Sequence, residues 1–413
     1  MHILAGESAL RALRAVRCRE LAVPVAQLEP QPQEVRLPGR DETATPNPRQ
    51  GKPLAPGSER GKTTAPNPDQ VLLSDYRTLA DEGFPFQGIE ANMRLELWQL
   101  GDVGPFTPER PLELAVFDRA RRTRGKKYRT RELPQTLPAD ALVRVNPNLY
   151  FVCPELIVSQ MAPSLSAIQL AKLIMELCGS YSLSSDVDLR NKAKYQLEPV
   201  TSLERIKRYS SLTKVRGGAK TLREALSYAL EGSASPGETV LALMMSLPRE
   251  SDGYGFAKPA LNASLTVPDE HIGRVGGTKY SLDSFWQEAY TDLEYESVEF
   301  HLDPLAAASL VTAKDGERDS DPSVEMRRRE YIAKADADRR RFRDLQFLGI
   351  HVIPVTSFDL SSVRRLDQVA YALAKNINGP DAKGLEDWAA DLDERSYRER
   401  RHRLLRSLNE DAT

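Results

Sequence analysis

Cysteine is scarce in this chain of 413 residues, which holds only Cys18, Cys153 and Cys178. Thiols so few and so widely spaced give neither a disulfide framework nor a zinc-ligand array, and they suit a reducing, cytoplasmic setting. Long apolar runs are also missing. None approaches the ~20 residues that a membrane-spanning helix needs, so no membrane association is expected. The basic, amphipathic start, M-H-I-L-A-G-E-S-A-L-R-A-L-R-A-V-R, lacks the continuous apolar centre of a secretory signal. No charge excess is present either: 57 Lys and Arg face 59 Asp and Glu, a formal net charge of -2. A polyanionic partner would therefore have to be met by a local basic patch rather than by the field of the whole molecule.

From about Glu29 to Asp69 the chain is rich in Pro, Gly, Thr and charge and almost free of aromatic and branched apolar residues. Such composition cannot bury enough apolar surface to offset the entropy of ordering. Residues 1–70 are accordingly expected to be a mostly disordered tail and linker. An α/β domain is expected over 71–234. It begins with a helix-like V-L-L-S-D-Y-R-T-L-A from Val71 and an alternating strand at Pro111–Phe117, followed by a basic run from Arg119 to Arg131. Two short strands around an Asn-Pro-Asn turn occupy Ala141–Val152, and a helix with a serine cap fits Ser164–Leu177. Thr201 and Glu204 have capping-box spacing at the head of another helix, and Lys220–Glu231 reads as a helix ending at Gly232.

A second α/β unit is expected over 235–360, with a charged helical tail over 361–413. Ser235 is placed to cap a helix that begins at Pro236 and carries Glu238 in its first turn. Strands follow at Ala263–Val267, at Tyr280–Asp283 and at Ala289–Ser297, then a long polar helix from Ser323 to Leu348 and a compact strand at Ile350–Thr356. The strand reading T-D-L-E-Y-E is the most informative part of the chain. Alternation sends Asp292, Glu294 and Glu296 to one face and Leu293 and Tyr295 to the other. Acids so close repel unless solvent or a cation compensates them, and a hard divalent ion such as Mg²⁺ is the compensation that would make them functional. In another setting the same strand is simply a solvated acidic face.

Helix-borne Glu238, strand-borne Asp283 and the Glu294/Glu296 pair are together the ingredients of a metal-assisted phosphodiesterase. Lys279, Lys334 and Arg339 are candidates by type for the cation that stabilises a pentacovalent phosphorus. His301 could serve as general acid to the leaving oxygen or position a water.

These residues carry a resemblance. S-P-G-E-T (Ser235–Thr239), D-S-F-W (Asp283–Trp286), E-Y-E-S-V-E-F-H (Glu294–His301) and D-A-D-R-R-R-F-R-D-L-Q-F-L-G-I-H-V (Asp336–Val352) come in the order found in the PD-(D/E)xK nuclease superfamily. More narrowly, they are similar to the very-short-patch-repair-like endonuclease domain. The preceding region, with Y-F-V-C-P-E-L and E-L-C-G-S-Y-S, resembles relatives of abortive-infection type IV antitoxins.

The resemblance implies an α/β fold in which a mixed α/β domain precedes a restriction-endonuclease-like domain, whose central mixed sheet is flanked by helices. It implies a Mg²⁺-dependent DNA endonuclease with Glu238, Asp283, Glu294, Glu296 and His301 as the catalytic set. The metal would rest on Asp283, Glu294 and Glu296. DNA, not a small molecule, is the expected partner, met by Arg327, Arg328, Lys334, Arg339 and Arg340. One departure matters: the superfamily's acid-x-Lys lysine is replaced by Glu296. A nuclease-like fold that binds nucleic acid as a regulator without cleaving it stays open as the alternative, as does an interaction protein with solvated carboxylates.

Overall fold

The very start of the chain, expected in a tail, builds the middle of a sheet. The computed structural model describes residues 2–19, 34–35, 70–72, 107–116, 125–133, 136–138, 141–144, 149–185, 193–213, 217–296, 322–379 and 384–410. Strand His2–Leu4 pairs parallel with Leu149–Val152 and antiparallel with Leu112–Val116. Tyr128–Glu132 and Leu142–Arg144 close the two edges of this five-stranded mixed sheet. The following helix, Gly6–Arg19, is buried along its length. Its apolar residues Leu10, Leu13 and Val16 sit in the core, which corrects the expectation of disorder for residues 2–19. Its arginines are matched rather than solvated: the Arg14 guanidinium meets both Glu176 oxygens at 3.0 and 2.7 Å, and Arg17 donates to the carbonyls of Gly179 and Glu198. Gly6 opens the helix with φ +48°, and a Cβ there would lie 1.9 Å from Glu113 Oε2, so only glycine fits.

Several expected elements are present with adjusted ends. The helix Ala167–Leu177 is capped by Ser166 in a full capping box with Gln169. Leu203–Thr213 is capped through Ser202 Oγ, which accepts from Arg205 N at 3.1 Å, whereas Thr201 turns its hydroxyl to buried Glu155. The helix after it spans Ala219–Tyr228 and stops short of Gly232. Where a helix was expected from Val71, Gln70–Leu72 is a strand paired with Thr136–Pro138, and residues 73–80 lie outside the described residues.

The second five-stranded sheet has the order His351–Thr356, Thr291–Glu296, Lys279–Trp286, Ala260–Thr266, Glu34–Val35. Its three central strands are antiparallel neighbours, and both outer strands run parallel to theirs. The chain is thus α/β with two mixed sheets. In sequence, helix Pro236–Ser246 precedes the three antiparallel strands, helix Pro322–Phe347 follows them, and His351–Thr356 then returns parallel to Thr291–Glu296.

One large apolar cluster runs from the first sheet through the wholly apolar Val240–Met245 stretch to Trp286, Leu293 and Val355. It therefore crosses the sequence boundary at 234/235. A smaller cluster of Ala263, Leu265, Leu282, Phe285, Leu345 and Ile350 fills the other side of the second sheet. The C-terminal helices Val363–Asn378, Leu385–Asp393 and Arg395–Asn409 lay Leu366, Leu373, Leu392, Leu404 and Leu408 into the large cluster. Each such leucine contributes about 1.5–3 kcal/mol when fully buried. Among the described residues no helix is long and apolar enough to cross a membrane.

Candidate active site

The S-P-G-E-T stretch sets the first carboxylate. Ser235 Oγ accepts from Glu238 N at 3.1 Å, and Pro236 occupies the first turn, where a missing N–H costs nothing. Gly237 is demanded by contact: a Cβ there would stand 2.2 Å from the Tyr295 ring. Thr239 is buried and shares hydroxyl contacts with Tyr181 at 2.9 Å and Ser233 at 2.8 Å, which fixes the helix start against the first half of the chain. Glu238 itself is buried. Its Oε2 accepts from Ala234 N at 2.9 Å and Asn262 Nδ2 at 2.8 Å. Asn262 has φ +47° inside its strand, flanked by the pairs Leu261–Ser284 and Ala263–Leu282, so it lies level with Asp283. Asparagine tolerates that left-handed backbone better than other large residues.

The sheet brings the other acids together. Asp292 pairs with Phe285 across the antiparallel strands, and two residues along each strand this register sets Glu294 beside Asp283. Tyr295 N donates to Asp283 Oδ2 at 2.9 Å, and Ser284 N donates to Asp292 Oδ1 at 3.0 Å. Leu293 and Tyr295 face the large apolar cluster. Glu294, on the opposite face, meets Arg341 of helix Pro322–Phe347, whose guanidinium also donates to Ser281 O. Asp292 Oδ2 and Glu294 Oε2 are buried without a hydrogen-bond partner.

The electrostatics follow from that crowding. Burial, then the charges of Glu294 and Glu238, raise Asp283 from 3.8 to about 8. Burial, then Glu294 and Asp283, push Asp292 well above its ordinary range. Glu238 is raised chiefly by burial, with its hydrogen bonds to Ala234 and Asn262 opposing. Arg341 is raised: its partner Glu294 outweighs the burial that acts to lower it. Protons and one guanidinium are what neutralise the cluster.

The expected site residues fall into three groups. Asp283, Glu294 and Glu238 act on one another electrostatically, and Asp292 joins them. Glu296 sits at the half-exposed end of its strand, opposite Thr356, and the carboxylates that bear most on Asp283 are Glu294 and Glu238. His301 lies outside the described residues, as do the side chains of Arg327, Arg328 and Lys334. Arg339 and Arg340 are exposed on the long helix, where Arg340 pairs with Asp336 at 3.0 Å.

Two residues with a clear place in the site were not singled out from sequence, and a third, Asp292, was placed on the acidic face but not in the catalytic set. Arg341 is the arginine that completes D-x-x-R from Asp338, so it had a signal in spacing. Asn262 had none, because its role depends on a backbone angle.

The donor set fits a hard divalent cation in kind, with carboxylate oxygens and two of them orphaned. Among the described residues, however, no group of three or more Asp, Glu, His or Cys is disposed to grip a metal. Hydrogen bonds hold Asp283 and Glu238 in place, and Arg341 holds Glu294. No family model, curated protein or solved structure matches the chain. The chemistry therefore rests on these residues alone.

Proposed function

We propose that this chain is a metal-dependent DNA endonuclease on a restriction-endonuclease-like core. The observation that carries the reading is the crowding of Asp283, Asp292, Glu294 and Glu238, each partly or wholly buried, on two neighbouring central strands and the helix start beside them, close enough to raise three of them. Such packing opposes folding, and strongly perturbed acids gather where chemistry needs them. The order helix, three antiparallel strands, helix, parallel strand supports the same reading.

A bound Mg²⁺ would supply charge neutralisation at the scissile phosphate and a more acidic water. Asp283 and Glu294 would hold it, with orphaned Asp292 Oδ2 beside them and Glu296 two residues further along the same face. Tyr295 N keeps the Asp283 carboxylate oriented, and Asn262 does so for Glu238. Arg341, with a planar fork of donors suited to phosphate, would supply the positive charge that the missing lysine otherwise brings.

A second reading is a nucleic-acid-binding or antitoxin-like regulator that does not cleave. The engagement of Glu294 by Arg341 favours it, because a guanidinium already supplies the cation there.

A nicking assay on supercoiled plasmid with Mg²⁺ or Mn²⁺, comparing wild type with Asp283→Ala, separates the two. The endonuclease nicks only with metal, and the variant loses the activity. Absence of metal-dependent nicking, or equal nicking by both proteins, refutes it. A salt-sensitive DNA shift retained in the variant, with no nicking by either protein, supports the regulator.

A further inference from the structure

The strand that ends at Thr356, level with Glu296, leads directly into a second feature. Asp359 Oδ2 closes the strand end by accepting from Thr356 N and Oγ1, both at 2.8 Å. Beyond it the chain forms one wall of a cleft of about 510 Å³. Ser361, Ser362 and Arg364 line that wall, and Arg398, His402 and Arg403 of helix Arg395–Asn409 line the other.

The charge in the cleft is unbalanced. Glu399, the only acid lining it among the described residues, is held by Arg395 at 2.9 Å. Arg398 is offset by Asp393 and Asp367. Arg364 and Arg403 are exposed, and among the described residues neither forms an ion pair; the same is true of neighbouring Arg365. Two contacts tie the walls together: Asn409 Nδ2 donates to Leu360 O at 3.0 Å, and Arg401 pairs with Asp367 of helix Val363–Asn378. Two free guanidinium groups are therefore presented on a fixed surface, at the end of the strand that flanks the carboxylates.

We propose that this cleft binds the sugar-phosphate backbone of the same DNA that the carboxylate site acts on, through Arg364 and Arg403. The assignment rests on DNA being the partner. It adds a contact outside both the long arginine helix and the carboxylate cluster. Nucleic acid suits the cleft better than a compact anion, because the cationic groups come from two separate helices and line an open cleft rather than converging on one point. Arginine also matches phosphate in a two-pronged geometry.

The test is fluorescence anisotropy of a labelled 20-base-pair duplex with the full chain, in EDTA, between 50 and 300 mM KCl. Each lost phosphate contact removes about 0.9 from the log–log salt slope, close to an eightfold change in affinity at 0.1 M salt. The double variant Arg364→Ala/Arg403→Ala is expected to bind about 60-fold more weakly, with a slope shallower by about 1.8. Arg364→Lys/Arg403→Lys should keep most of the slope, and Arg406→Ala, on the same helix but outside the cleft lining and paired with Glu410, should change little. Both targeted side chains are exposed and unpaired, so an unchanged thermal melt accompanies the effect.

Wild-type affinity and slope in the double alanine variant overturn the cleft and leave the endonuclease reading intact. Failure of the wild type to bind duplex at all removes both. Arginine-dependent binding with no metal-dependent nicking by the wild type leaves the cleft standing as a DNA contact and overturns the endonuclease reading alone. Binding of polyglutamate in place of DNA would identify an acidic-peptide surface and also overturn the proposal.

Discussion

Replacing Asp283 by Asn should make the protein more stable in alkaline solution while removing its proposed activity. The carboxyl of Asp283 is raised from 3.8 to about 8. The folded protein therefore keeps a proton that the unfolded chain has released at any pH between those values. Stability is then greatest at low pH and falls as pH rises from about 4 to about 8. One such proton corresponds to a slope of about 1.4 kcal/mol per pH unit, or about 2.7 kcal/mol between pH 5 and pH 7.

Asparagine is nearly the shape of the protonated acid, and its carbonyl can still accept from Tyr295 N. The variant escapes this pH-dependent loss, so its advantage over wild type should widen by up to that amount. Glu294 and Asp292 titrate together with Asp283, so part of the loss is shared among the three acids and the gap is smaller than a lone group would give. Urea titrations at pH 5, 6, 7 and 8 measure the gap, with buried Trp286, bonded to Ala257 O at 2.7 Å, as the fluorescent reporter. A gap that stays constant with pH, or a variant less stable than wild type at pH 8, would show that Asp283 is not the strained acid of the cluster.

Two further substitutions test the framework around the site. Gly237→Ala forces a methyl group against the Tyr295 ring, where its Cβ would lie 2.2 Å away; overpacking of this kind costs about 1–3 kcal/mol, and urea titration should show Tyr295→Ala restoring much of the loss in the double variant. Arg401 is wholly buried, paired with Asp367, and 4.4 Å and 5.1 Å from the ring centres of Tyr397 and Tyr254. Arg401→Ala takes from the Asp367 carboxylate its buried guanidinium partner, leaving it Tyr254 and the more exposed Arg398, and should cost about 3 kcal/mol in a denaturant titration, whereas Arg401→Met with Asp367→Leu should cost less because the buried pair is replaced by apolar packing.

The elements that position the site are legible in sequence where a local pattern decides them. Ser-Pro at 235–236 marks a helix start by capping chemistry, and alternation in Thr291–Glu296 marks a strand with an acidic face. His2–Arg19 misleads because its composition is that of an exposed amphipathic helix. Its arginines are buried only because Glu176 and the carbonyls of Gly179 and Glu198, more than 150 residues distant, receive them. Thr201 misleads for a related reason: buried Glu155 competes for its hydroxyl and leaves the cap to Ser202. Within the site, Asp283 and Glu294 can be paired only once the register of the sheet is known. Arg341 can be chosen over its neighbours Arg339 and Arg340 only once the face of the long helix is known.

The charge state of the cluster bears on how a polyanion could approach it. Four ionised carboxylates with a single guanidinium would repel a phosphodiester. Asp283, raised to about 8, is mainly protonated at neutral pH, burial pushes Asp292 and Glu238 up as well, and Arg341 offsets Glu294. The resting site is thus close to neutral and tolerates phosphate nearby. For the endonuclease, a divalent ion then has to displace protons to gain its ligands, so metal and proton compete for the same oxygens. For the regulator, the near-neutral state is the final one, and the acids serve to hold Arg341 in place. The two readings therefore separate in the absence of DNA. Mg²⁺ added to the free protein at weakly buffered pH 7 should release protons and raise the melting temperature in the first case, and do neither in the second.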